Sequence, residues 1–135
     1  MRYFLDTSVI MYAAGAEHEY KKPCVAILER IERHELEIFT SVEVIQELFY
    51  RYAHIGRKQE GVILAKSVMS FVPLLPVDDA IMESALDLFE RYDIDPRDAL
   101  HAAVALNFGI TLILSSDQHF DQVKEVQRVD PLTLP

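Results

Sequence analysis

Apolar residues along the chain come in two rhythms: short unbroken runs, and longer stripes spaced three and four apart. Tyr3, Phe4 and Leu5 make the first run, between Arg2 and Asp6. A short apolar run that ends on turn-forming residues predicts a buried strand, Arg2–Leu5. Val9–Ala14 is apolar again and predicts a short helix, followed by a turn over Gly15–His18. Lys21–Arg33 predicts a longer helix. Val25, Ile27, Leu28 and Ile31 form its apolar stripe, and Glu29, Arg30, Glu32 and Arg33 its solvated side. Glu37–Phe39 predicts a second strand, after which Thr40 and Ser41 offer N-caps.

Val42–Ile55 is the third predicted helix, with Ile45, Leu48, Phe49 and Tyr52 on the apolar face and Glu43, Glu47, Arg51 and His54 opposite. Gly56 ends it. Arg57–Val72 is the fourth, and its stripe from Val62 to Val72 is broad. Such a stripe belongs either to a helix buried in its own domain or to one that meets another protein. Leu74–Val77, bordered by Pro73 and Pro76, predicts a third strand. Asp78 or Asp79 caps a helix running to about Arg91. Asp95 and Pro96 open another, Asp95–Phe108, which Gly109 closes. Thr111–Leu114 and Val126–Val129 predict the last two strands, with a turn over Ser115–Asp121 between them. Short strands alternating with helices mean βαβ units and a parallel sheet. The expected fold class is α/β: one three-layer domain over residues 1–135, with a central parallel sheet of four or five strands flanked by helices.

Composition narrows the function. The net charge is −9, from 22 acids against 13 Lys and Arg. That balance argues against a generic basic nucleic-acid binder. It leaves room for an enzyme that works on nucleic acid through metal ions, where clustered acids belong to the site. The lone cysteine, Cys24, allows no intrachain disulfide, which suits a reducing compartment. It is expected to pack as a small hydrophobe. No apolar run approaches the ~20 residues of a membrane span, and no signal-peptide pattern opens the chain. A soluble, cytoplasmic protein is the expectation.

Four acids carry the chemical reading. Asp6 leaves the first strand, at the carboxyl edge where open α/β sheets bind ligands. Asp117 follows the fourth strand. Asp98 lies one turn into the Asp95–Phe108 helix, and Glu47 sits mid-helix among apolar neighbours. Singly, each has a structural explanation: Asp98 favours a helix dipole, Glu47 can pair with Arg51 at i+4, and Asp117 can cap a turn. Asp6 resists this, because an unpaired charge at the end of a buried strand is costly. Jointly the four suggest a carboxylate nest for a hard divalent cation, Mg²⁺ or Mn²⁺, which favours oxygen ligands. Crowded acids also repel one another, so at least one should have a raised pKa without metal. Thr7 and Ser116 are expected to orient the carboxylates from outside, with Ser8 and Ser115 nearby. Asp121, four residues after Asp117, is a further candidate. His101 reads better as a packed helix histidine than as a ligand, His119 is ambiguous, and Arg97 is either a phosphate contact or a solvated charge. Neither a zinc pattern nor a phosphate-binding glycine loop occurs.

The stretches FLDTSVIMY at 4–12, SVEVIQELFYRY at 41–52, DPRDALHAAVA at 95–105 and LILSSDQHFD at 112–121 together resemble the PIN-domain family, and within it the VapC-type toxin ribonucleases. The resemblance implies metal-dependent endonucleolytic cleavage of RNA, with Asp6 and Asp98 as principal ligands of Mg²⁺ or Mn²⁺ and Glu47 and Asp117 completing the set. It further implies a homodimer and a small antitoxin partner, for which the broad stripe on Arg57–Val72 is the natural surface. PIN domains also serve in RNA processing outside toxin–antitoxin pairs, and a PIN fold can act as a module that binds RNA or a partner without cleaving. An aspartyl-phosphate enzyme is disfavoured, since Ser8 occupies the place of its second acid.

Overall fold

The computed structural model describes residues 1–135. Eleven principal elements follow one another: β1 (Arg2–Leu5), α1 (Thr7–Ala14), α2 (Lys21–Glu32), β2 (Glu37–Ser41), α3 (Val42–His54), α4 (Lys58–Phe71), β3 (Leu74–Leu75), α5 (Asp79–Arg91), α6 (Pro96–Asn107), β4 (Leu112–Leu114) and β5 (Gln127–Val129). A 3-10 turn over Gln118–Gln122 joins the last two strands. All strand pairings are parallel, in the order β3-β2-β1-β4-β5.

That order sets the location of everything else. From β1 the chain steps outward through β2 to β3, then returns across the sheet to place β4 on the other side of β1. Right-handed crossovers therefore put α1–α2 and α5–α6 on opposite faces. The reversal opens a crevice at the carboxyl ends of β1 and β4. The helices pack in sequential pairs, α1 on α2, α3 on α4 and α5 on α6.

Burial follows the apolar pattern. Phe4, Leu5, Ile113 and Leu114 in the two central strands are fully buried, as is Cys24 on α2. Burial pushes the Cys24 thiol up to about 12, so it stays protonated and inert. Helix α6 is buried almost all round, from Asp98 to Ala105.

Several boundaries differ from those the sequence suggests, each for a local reason. Helix α1 begins at Thr7, not Val9, because Asp6 itself caps it through the Ser8 amide. Strand β2 continues through Thr40 and Ser41. Thr40 is not a cap: its hydroxyl donates to the Leu5 carbonyl at 2.7 Å, carrying the β1–β2 seam past the last ladder pair. Ser41 is the cap, accepting from the Val44 amide at 3.1 Å. Strand β3 stops at Leu75, where Pro76 supplies no N–H. Gly61 is the closest approach of α4 to α3, since a Cβ there would lie 2.6 Å from Tyr52 Cβ.

Candidate active site

The two central strands each end on an acid and a hydroxyl. The Asp6 amide continues the β1–β4 ladder by donating to the Leu114 carbonyl, which fixes Asp6 beside Ser115. Ser115 is fully buried and donates to Asp6 Oδ2 at 2.6 Å. Its oxygen accepts from the Asp117 amide at 2.9 Å, and it lies 3.3 Å from the Ser8 hydroxyl. Ser8 in turn accepts from the Ser116 amide at 3.2 Å. One serine thus locks both strand-end acids to a common frame.

Glu47 enters from α3 and is buried. Its Oε1 accepts from Thr7 at 2.8 Å and from His101 Nε2 at 2.9 Å, and its Oε2 from Arg51 at 2.7 Å. Burial would raise its pKa, but His101, Thr7 and Arg51 outweigh that and hold it at about 2.

Asp98 is the opposite case. Asp95 caps α6 by accepting from the Asp98 amide at 2.8 Å, which presents the Asp98 carboxyl on the first turn. That carboxyl is buried, and its Oδ2 has no hydrogen-bond partner. Burial, then the charges of Asp117, Asp6 and Asp95, push it up to about 9. Without a counter-charge it is a neutral acid at physiological pH. Asp117 is half-buried at the mouth, accepting from the amide and from Nδ1 of His119 at 2.9 and 2.8 Å.

Carboxylate and imidazole atoms of Asp6, Glu47 and His101 lie within 4.8 Å of one another, as do those of Asp98, Asp117 and His119. Asp6, Glu47, Asp98 and Asp117 line one cleft. The donor set is oxygen-rich, and the orphaned Asp98 oxygen together with its suppressed ionisation marks a place short of positive charge. These residues fit a hard divalent cation.

Three sequence expectations are placed differently. Asp121 faces away from the cleft and pairs with Arg128, its Oδ1 accepting from Arg128 Nε at 2.9 Å. A 3-10 turn has about three residues per turn, so the position four after Asp117 is rotated about a third of a turn off its face. Ser116 lines the cleft, but the hydroxyl bound to the acids is that of Ser115. His101 is packed, as expected, yet also bonded to Glu47. A signal for this existed: after Asp98 the helix carries no charge through Ala105, so it is buried all round, and a buried imidazole needs a partner. Arg97 is engaged within the protein, 3.4 Å from Glu43 and over the Tyr50 ring at 5.3 Å.

A parallel α/β sheet with a carboxylate cleft at its switch point is a class of fold and site shared with known proteins. Residues 3–126 match the model of the PIN domain. Ribonuclease VapC13 of Mycobacterium tuberculosis is 32% identical over 93% of this chain and 97% of its own. Ribonuclease VapC23 of the same species is 33% identical over 84% of this chain and 91% of its own. The chain belongs to the PIN-domain family, among the VapC ribonucleases. In fold it is similar to the DNA-bound VapBC structure from Salmonella typhimurium, at a TM-score of 0.77 and 15% identity, covering 97% of this chain and 98% of that one.

Proposed function

We propose that this protein is a metal-dependent endoribonuclease and the toxin of a toxin–antitoxin pair. The observation that carries the reading is the Asp98 carboxyl, buried with its Oδ2 unpartnered and pushed up to about 9 by burial and by Asp117, Asp6 and Asp95. A structural acid would be paired. This one is left in need of a cation.

Asp6, Asp98 and Asp117, with Glu47 behind them, would hold Mg²⁺ or Mn²⁺. When bound, such an ion lowers the pKa of water and neutralises charge on a phosphodiester in displacement. The chain's own residues do the rest. Ser115 holds Asp6 and the Asp117 backbone in register, and Asp98 would release its proton to solvent when its carboxylate pairs with the ion. Glu47, held at about 2, is a poor proton acceptor near neutrality. Its charge instead anchors Thr7 and His101. Asp117, half-buried at the open side of the cleft with the exposed His119 against it, would take the proton of the attacking water in preference to Glu47.

The toxin reading is supported by the VapC relatives and by the VapBC fold neighbour. A protein partner and a second copy of the chain both find unpartnered apolar surface on α3 and α4, where Phe49, Ile63 and Met69 are exposed. No helix is long and apolar enough to cross a membrane. The test is cleavage of a mixed RNA pool in Mg²⁺ or Mn²⁺ by wild type and Asp98→Asn, with EDTA as control. Metal-dependent cutting by wild type alone is the expected result. Equal cutting by both, or cutting unaffected by EDTA, would end the reading.

A further inference from the structure

The cleft is a poor electrostatic host for RNA. Glu17, Glu43, Asp95 and Asp117 line it beside Asp6 and Asp98. Its two arginines are already paired, Arg51 with Glu47 and Arg97 with Glu43. A polyanion gains little here from counterion release, the usual source of affinity for nucleic acid. Contacts that do not depend on charge have to hold the chain, and for an unpaired strand these are base–aromatic stacks.

The rim of the same cleft carries such a surface. Ser8, Met11 and Tyr12 on α1 and Gly15 just past its end line the cleft at helical spacing. Tyr12 lies six positions after Asp6, or about 9 Å along the helix axis, within reach of one extended nucleotide. Its ring centroid is 4.7 Å from that of His18 and 5.1 Å from that of Tyr20, and the latter two rings are 5.8 Å apart. The cluster is held in place. Tyr20 donates its hydroxyl to Asp130 at 2.9 Å, and its amide donates to His18 Nδ1 at 3.2 Å. Tyr12 is half-buried and His18 exposed, both on the cleft wall.

We propose that Tyr12 and His18, backed by Tyr20, form a stacking platform for one unpaired RNA base next to the phosphate that a cation bound by the acids would hold. The platform rests on the ribonuclease reading. It makes the substrate single-stranded at that position and supplies binding that the acidic cleft cannot.

The test uses the metal-loaded enzyme. A cleaved oligoribonucleotide is selected from the pool, and versions abasic at each position flanking the cut are compared with wild type, Tyr12→Leu and His18→Ala. With wild type, one abasic position should raise KM roughly 5- to 150-fold, the worth of one stacked base, with kcat little changed. Tyr12→Leu should show that raised KM on the intact oligomer, and removing the base should add nothing further. His18→Ala, at an exposed position, guards against a Tyr12 variant that fails to fold and should show part of the same effect. In an Asp98→Asn background, 2-aminopurine at that position should be quenched on binding, and not quenched when Tyr12 is Leu. Unchanged KM in both folded variants, or effects of base and ring that simply multiply, would overturn the platform while leaving the nuclease intact. A wild type that cuts no RNA would overturn the ribonuclease reading itself.

Discussion

Glu47 and Asp98 are carboxylic acids of one cleft, buried to nearly the same degree at 6% and 7% exposure. Glu47 has three hydrogen-bond donors and is held at about 2; Asp98 has an orphaned oxygen and stands at about 9. Burial pushes both upward. Glu47 looks onto Thr7, His101 and Arg51, whereas Asp98 looks onto other acids. Glu47 is therefore paired within the protein, whereas Asp98 is left with an unpartnered oxygen facing acids. A buried acid kept neutral by burial and by neighbouring acids marks a candidate functional site.

The sharpest way to break that contrast is to remove the demand for a cation. Asp98→Asn keeps the shape of a group that is neutral near pH 7 in the metal-free protein, so the fold should lose little. RNA cleavage should fall on the order of 10²- to 10³-fold or more, as for other preorganised charges at a reacting phosphate. Cleavage assays beside thermal melts in EDTA decide it. A variant that melts far below wild type would make Asp98 a structural acid.

The reverse behaviour belongs to Glu47. Glu47→Ala orphans the Thr7 hydroxyl and His101 Nε2 in the interior, which should cost about 2–4 kcal/mol. Urea unfolding in EDTA measures it. Glu47→Gln should lose less, because the amide oxygen can still accept from both donors. If Glu47→Ala unfolds at the wild-type urea concentration, the bonds to Thr7 and His101 contribute nothing net.

Metal binding should sharpen the contrast further. A cation binding wild type displaces the Asp98 proton, so its affinity should rise up to ~10-fold per pH unit below about pH 9, with close to one proton released. Asp98→Asn should bind more weakly and with a flatter pH dependence. Calorimetry in buffers of different ionisation enthalpy counts the protons. Zero release from wild type would mean that Asp98 is already ionised.

Much of this site is legible along the chain, because strand ends, caps and helix starts are local. Asp6 after Leu5, Asp98 three residues past its Asp95 cap and Asp117 after β4 are each placed by neighbours in sequence. What crosses the fold is not legible in the same way. Whether Ser115 or Ser116 meets Asp6 depends on where β4 stops beside β1, and two adjacent serines give no sign of it. The Glu47–His101 bond depends on how α3 and α6 approach, the residues being 54 positions apart. The broad stripe of α4 divides: Val68 and Ala65 are buried against the domain, while Ile63 and Met69 face outward.

The pH dependence is the most diagnostic, because the two acids drive stability in opposite directions with pH. Glu47 has a folded pKa of about 2, below its unfolded value near 4.3. Its contribution is therefore present above about pH 4 and lost as pH falls through about 2. Asp98 has a folded pKa of about 9, above an unfolded value near 3.9. The native state then holds a proton that the unfolded chain releases, so stability declines as pH rises from about 4 towards 9. The slope is at most ~1.4 kcal/mol per pH unit for a single proton. Taken alone, these two groups favour the metal-free native state most near pH 4–5. A bound cation pairs with ionised Asp98, removes the declining limb and stabilises the native state by mass action. The maximum should accordingly move towards neutrality when Mn²⁺ is added. In Asp98→Asn the decline should be largely absent in EDTA, and the metal-induced movement small. Melting temperatures from pH 3 to 9, with EDTA and with Mn²⁺, measure both limbs. A wild-type maximum already at neutral pH without metal would mean that Asp98 is as well satisfied as Glu47, and the two halves of the cleft would not differ.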